Sequence, residues 1–198
     1  IQGALLYLKH DFNLEGKETF EGLIVSIALL GAFLSTVFAG PLADWVGRKS
    51  VLKTSAILYC LGSTIMSWSP NVYVLIMGRL VSGAAIGFAS AISPLYISES
   101  SPTDIRGTLL TFPQMFGSIG MFLAYSLAFG LSLTSQPNWR IMLGVTLVPS
   151  LMYLFLCTWY IPESPRWLVS KGRMLEAKKV LQRLRKQEDV QGLSLSLS

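Results

Sequence analysis

From Gly22 onward the chain alternates long apolar runs with short polar interruptions. Leu23 to Ala43 carries no charged residue, and neither does 54–70. Runs of this kind recur at 71–95, 107–133 and 140–161, where Arg79 and Arg140 are the only charges. An apolar run of ~18 or more residues reads as a membrane-spanning helix, because ~20 residues rising 1.5 Å each cross the hydrocarbon core. The pattern therefore predicts five spans, 22–43, 52–68, 71–95, 107–133 and 140–161. Residues 1–8 are apolar but too short to span, and read as the remnant of an earlier transmembrane helix. Lys9 to Glu21 is polar, with a balance of −2 from Lys9 and Lys17 against Asp11, Glu15, Glu18 and Glu21.

The interruptions differ in kind. Those at 68–71 and 134–139 are short and carry no charge. The turn at 40–49 holds Asp44, Arg48 and Lys49, and the loop at 98–106 holds Glu99, Asp104 and Arg106. Basic residues gather in cytoplasmic loops, so the alternation places 44–50, 98–106 and everything after 162 in the cytoplasm. Trp68, Tyr73, Trp139, Trp159 and Tyr160 lie near span ends, where amphipathic rings anchor at the interface. Beyond the last span, 162–190 is read as a cytoplasmic linker followed by an amphipathic helix over Met174–Glu188, with Leu175, Val180, Leu181 and Leu184 as its apolar side. The Ser/Leu repeat at 191–198 is read as a disordered tail.

Composition fits this picture. Apolar residues make up 52% and charged residues 14% of the chain, against about a quarter charged in soluble domains. The class is an all-α polytopic membrane protein, not a soluble enzyme. The net charge of +5 is read as topology and not as nucleic-acid binding, because eight of the 16 Lys and Arg follow Pro165. A single histidine, His10, leaves no multi-His site. Cys60 and Cys157 sit inside apolar runs and read as small packing residues. No metal or cofactor is expected.

Within the spans a few positions stand out. Gly78, Gly83 and Gly87, with Ala84, Ala85 and Ala89 among them, let the third span approach its neighbours closely, and Gly117 and Gly120 suggest the same for the fourth. Such contacts serve equally as static packing or as a rocking interface. Arg79 costs at least ~2.5–3.5 kcal/mol inside a bilayer unless it finds a partner or water. It either snorkels and caps carbonyls or forms an ion pair that changes with conformation. Gln114 follows Pro113, whose ring removes a helix hydrogen bond and kinks the span. Its amide suits an interhelical hydrogen bond and also a hydroxyl-rich ligand. In the turn at 40–49, Gly40 permits close helix approach and Gly47 a positive φ. There Asp44 can accept from backbone N–H groups at a helix start. The turn reads either as a solvated topology marker or as part of a charged network.

Gly40-Pro-Leu-Ala-Asp-Trp-Val-Gly-Arg-Lys49 resembles the signature turn of the major facilitator superfamily, which lies between the second and third of twelve spans. Gly78-Arg79, Glu99 with Arg106-Gly107, and Pro162-Glu-Ser-Pro-Arg166 together resemble its sugar-porter branch. Ser69-Pro-Asn-Val-Tyr-Val, Pro94-Leu-Tyr-Ile-Ser-Glu and the run from Pro165 to Arg185 are similar to the plant tonoplast monosaccharide transporters. The resemblance implies a partial N-terminal six-helix bundle, half of a two-bundle fold that works by alternating access in a lipid bilayer. It implies sugar binding by Gln114 and a proton-coupling ion pair between Arg79 and an aspartate of the first span. It implies a conformational salt-bridge network of Asp44, Arg48, Glu99, Arg106, Glu163 and Arg166. The reaction implied is movement of glucose or fructose against protons across the vacuolar membrane. The place of the first-span aspartate and the C-terminal bundle are missing from this sequence. Two other readings stay open, a truncated non-transporting membrane subunit and a major facilitator carrier for a different small solute.

Overall fold

The computed structural model describes residues 18–102, 104–132 and 143–184. The expected remnant at 1–8, the ends of spans at 133 and 140–142, the last residues of the amphipathic helix and the tail at 191–198 lie outside them. Among the described residues seven helices follow one another: α1 Glu18–Val46, α2 Arg48–Ser67, α3 Val72–Ser100, α4 Arg106–Ser132, α5 Leu147–Trp159, α6 Pro165–Ser170 and α7 Met174–Leu184. No strand occurs among the described residues. α1, α3 and α4 are each long and apolar enough to cross a membrane, with α5 a shorter apolar helix. Trp68, Tyr73, Trp159 and Tyr160 are all exposed at or near helix ends.

α3 is the centre of the packing, with α1 on one side and α2 on the other. The reason is a set of positions without side chains. A Cβ on Gly83 would collide with the carbonyl oxygen of Ala28, and one on Gly87 with that of Ala32. The fit is reciprocal, since a Cβ on Gly31 of α1 would stand 2.5 Å from the Leu80 oxygen of α3. Toward α2, a Cβ on Gly78 would stand 2.8 Å from Met66 Cγ, and one on Gly62 3.0 Å from Ser82. In lipid, where no hydrophobic drive separates one apolar neighbour from another, such close backbone contact is what holds helices together. α5 closes the other face of α2, where Thr146 donates to Ser63 at 3.2 Å and the hydroxyls of Ser55 and Tyr153 lie 3.1 Å apart.

Two expectations about glycine are not met among the described residues. Gly117 and Gly120 of α4 have no atom within 4 Å of a built Cβ, and the apolar window of α4 holds no buried residue. α4 touches the rest of the described chain chiefly through α3, so among the described residues its glycines have no partner backbone to approach. Gly40 is likewise open. The residues that make the close approach beneath the turn are Ala39 and Ala43, both fully buried with Val51, Leu52, Ile92 and Cys157. Helix α4 runs unbroken through Pro113, as α1 does through Pro41 and α3 through Pro94.

The apolar side of α7 also differs from expectation. Ala177 is buried and Val180 half-buried against Trp167 and Leu168 of α6. Leu175 points the other way and is 80% exposed. Positions 177, 180 and 181 lie on one side by the three- and four-residue spacing of a helix, and 175 falls nearly opposite Ala177.

Candidate functional site

At one end of the bundle the chain turns from α1 into α2 through a single residue, Gly47. Its φ of +105° is a conformation that L side chains rarely adopt. A Cβ there would also meet Glu163 Oε2 at 2.6 Å. Glycine is thus required twice, by backbone shape and by the approach of a segment over a hundred positions later.

Directly after the turn stands Arg48. Its guanidinium donates to Glu99 through two bonds, Nε to Oε2 and Nη2 to Oε1, each 3.0 Å. Both side chains are only 10% exposed. Nη1 donates to the Ala43 oxygen at 3.1 Å, and Nη2 also lies 2.9 Å from Asp44 Oδ1. A two-pronged Arg–carboxylate pair is short, directional and strong, and burial reduces solvent screening. The Asp44 side chain is 72% exposed, so its bond to Arg48 is a surface pair of small weight.

The segment after α5 docks on this pair. Ser164 donates from Oγ to Glu99 Oε2 at 2.5 Å and accepts from Trp167 N at 3.4 Å, capping α6. Glu163 Oε1 accepts from the backbone N–H groups of Lys49, at 3.0 Å, and Ser164, at 3.1 Å. The carboxylate at the start of α2 is therefore Glu163 and not Asp44. A negative group there satisfies an otherwise unpaired helix N–H and faces the positive end of the helix dipole. Trp167 Nε1 donates to the Asp44 oxygen and Tyr96 to the Pro162 oxygen, both at 3.0 Å. The ends of α1, α2 and α3 and the 162–167 segment are thus tied together around Arg48 and Glu99.

Asp44, Arg48, Glu99 and Glu163 come together here. Arg106 and Arg166 do not join them. Arg106 Nε is buried without a hydrogen-bond partner, and Arg166 is exposed with no ion pair among the described residues. Arg166 follows Pro165 at the start of α6, a helix whose buried positions are Pro165, Trp167 and Leu168.

A cavity lies inside the bundle beside a buried cation. Arg79 is 8% exposed and borders a cavity of about 370 Å³ between α2, α3 and α5. Tyr59, Ser63, Ser82, Thr146, Ser150 and Tyr153 also border it, its surface is almost wholly apolar, and among the described residues no carboxylate lines it. Gln114 is not among these residues. It sits exposed on α4, its carbonyl accepting from Ser118 at 3.1 Å. The structure does not bring Gln114 and Arg79 into one site among the described residues.

The sequence pattern of the family described as "Sugar (and other) transporter" matches residues 6–193. The chain belongs to that family. Its fold is that of the major facilitator superfamily. The whole chain superposes on 48% of XylE, a proton:xylose symporter solved with 6-bromo-6-deoxy-D-glucose, at a TM-score of 0.91 and 26% identity. A partially occluded inward-open form of XylE from E. coli matches 90% of the chain and 47% of that protein, at a TM-score of 0.83 and 26% identity. Among curated relatives, monosaccharide-sensing protein 2 of Arabidopsis thaliana is 57% identical over 97% of this chain. Probable inositol transporter 2 of the same plant is 40% identical over 96%. The chain spans 26% of the first and 33% of the second.

Ser164, Trp167 and Tyr96 belong to the site, yet no local pattern announces them. Their bonds span 65, 123 and 66 positions. The one usable signal was the Pro-Glu-Ser-Pro run itself, which places a capping serine before a proline at the start of a helix.

Proposed function

We propose that this chain is the N-terminal half of a proton-coupled monosaccharide transporter working by alternating access in the vacuolar membrane. The observation that carries the proposal is the buried Arg48–Glu99 pair, onto which Glu163 and Ser164 dock, in a chain of the sugar transporter family. In this reading the charged end faces the cytoplasm. The pair holds the ends of α1, α2, α3 and the 162–167 segment in one packing, and opening to that side separates them. A buried bidentate pair suits this role because it is directional and either made or lost. Arg106 and Arg166 enter the network in another conformation of the cycle.

Gln114 lies on the helix that the described chain leaves uncovered, which suits a side chain that meets substrate. Its amide both donates and accepts, matching a sugar hydroxyl. Arg79 is the coupling cation, poised at a cavity that no carboxylate of the described residues lines. The second bundle and a first-span aspartate, the partners this reading requires, come from sequence beyond the described residues. Support for a monosaccharide cargo comes from the relatives named monosaccharide-sensing proteins, and for proton coupling from the likeness to a proton:xylose symporter. A cyclitol is the alternative cargo, favoured by the 40% identity to an inositol transporter.

The test is uptake of labelled glucose, fructose and inositol by the full-length protein in sealed vesicles with an imposed pH gradient. Saturable glucose or fructose uptake that collapses with the gradient is the expected result. Uptake of inositol alone would transfer the assignment to the cyclitol. No uptake of any of the three would favour the non-transporting subunit.

A further inference from the structure

We propose that the outward face of α7 is a docking surface for anionic phospholipid headgroups of the membrane that holds the spans. The inference rests on the membrane placement of the helices and not on the sugar or proton assignments.

Three observations meet on this face. First, α6 and α7 with their connection carry Arg166, Lys171, Arg173, Lys178, Lys179 and Arg183 against one acidic residue, Glu176. Glu176 is already engaged by Arg173, at 2.6 and 2.9 Å. The other cations make no ion pair among the described residues. Second, Leu175, Lys178, Lys179 and Gln182 follow the three- and four-residue spacing of one helical face, opposite the packed Ala177, and all four are exposed. An 80% exposed leucine set among lysines is poorly suited to water. It suits a boundary where cations meet headgroups and an apolar side chain dips below them. Third, α7 is held at the end of the spanning helices. α5 ends at Trp159 and α6 begins at Pro165, and the link is fixed by Tyr96 to Pro162 and by Trp167 to Asp44 at the ends of α3 and α1. α7 is clamped to α6 through Ala177 and Val180.

A cluster of four to eight basic residues next to a span is the pattern that binds anionic lipid. An acidic protein segment would satisfy the charges but gives Leu175 no partner, which is why lipid is favoured.

The test titrates short-chain phosphatidylserine and phosphatidylcholine into the detergent-solubilised full-length protein, reading lipid adducts by native mass spectrometry. Phosphatidylserine is expected to bind selectively. The triple variant K178Q/K179Q/R183Q should weaken it roughly 100-fold, at about one kcal/mol per cation. L175S should weaken it roughly tenfold, and inorganic phosphate should not displace it. All four positions are exposed, so size-exclusion profiles should match wild type, and the single variant K179Q provides a milder check with a roughly fivefold loss. Equal binding of the two lipids, or an unchanged phosphatidylserine affinity in the triple variant, overturns the proposal. So does displacement by phosphate, or displacement by polyglutamate with no effect of L175S, which would mark the face as a site for an acidic protein.

Discussion

α3 and α4 are similar in sequence and opposite in surroundings. Both are long, apolar and rich in glycine, with a proline inside the helix. In α3, Gly78, Gly83 and Gly87 press against α2 and α1 so closely that a methyl group has no room. In α4, Gly107, Gly117, Gly120 and Gly130 face open space within the described chain. Small-residue spacing thus marks a helix able to pack closely, and says nothing about whether a partner is there. The same contrast separates the polar residues. Arg48 and Glu99 are tied at the densely packed end, whereas Gln114 stands on the uncovered helix. The first arrangement is suited to holding a conformation, the second to meeting something that comes and goes.

The contrast is broken most forcefully at Glu99. Glu99→Ala leaves the Arg48 guanidinium buried beside Ser164 with its main partner gone, and should cost about 3–5 kcal/mol. Thermal unfolding in detergent measures it, and Arg48→Met in the same background should restore much of the loss. A melting temperature unmoved by Glu99→Ala would mean the pair holds nothing. The next effect lies within the glycines. Gly83→Ala forces a methyl onto the Ala28 carbonyl and should cost about 1–3 kcal/mol, whereas Gly120→Ala should stay within about 0.5 kcal/mol. If the two substitutions were equally damaging, α4 would be packed as tightly as α3 and the comparison would fall.

How far the sequence disclosed this depends on the range of the interaction. Helices, their order and the close packing of α3 follow from apolar run length and glycine spacing, which are local, whereas its partner α1 does not. The need for Gly47 is half local. Its φ is a property of the turn, but its contact with Glu163 spans more than a hundred positions. Asp44 and Glu163 show where local reasoning misleads. Asp44 stands beside the start of α2 in sequence, yet its largely exposed side chain meets Arg48 and Glu163 takes the N–H of Lys49 instead. The face of α7 was misjudged for a related reason. Its hydrophobic residues do not form one clean stripe, and the packed side was set by Ala177 meeting Trp167 and Leu168. Alanine carries little weight in a hydrophobic pattern, though a small residue is what lets α7 approach α6.

Gln114 sharpens the comparison from the functional side. Gln114→Ala removes one amide from an exposed position, so stability should hold within about 0.5 kcal/mol. Sugar affinity of the full-length protein should weaken about fivefold, the worth of one hydrogen bond near 1 kcal/mol. The pairing of unchanged melting and weakened binding is the signature of a residue on an open face. Unchanged affinity would remove Gln114 from the sugar site.

The smallest effect is expected at Arg166, and it is informative because Arg166 shares its charge and its end of the molecule with Arg48. Arg166 is exposed with no ion pair among the described residues, so Arg166→Ala should shift stability by under about 0.5 kcal/mol. Arg48→Ala, by contrast, strands Glu99 and should rival Glu99→Ala. If Arg166 matters only in another conformation, its loss should leave the melting temperature alone while changing transport rate, because a residue that bonds in one state biases the equilibrium by its differential energy there. A loss of stability as large as that of Arg48→Ala would instead place Arg166 in the same network as Arg48. The two arginines would then differ only in exposure, and exposure would no longer separate the residues that hold this end of the bundle from those that do not.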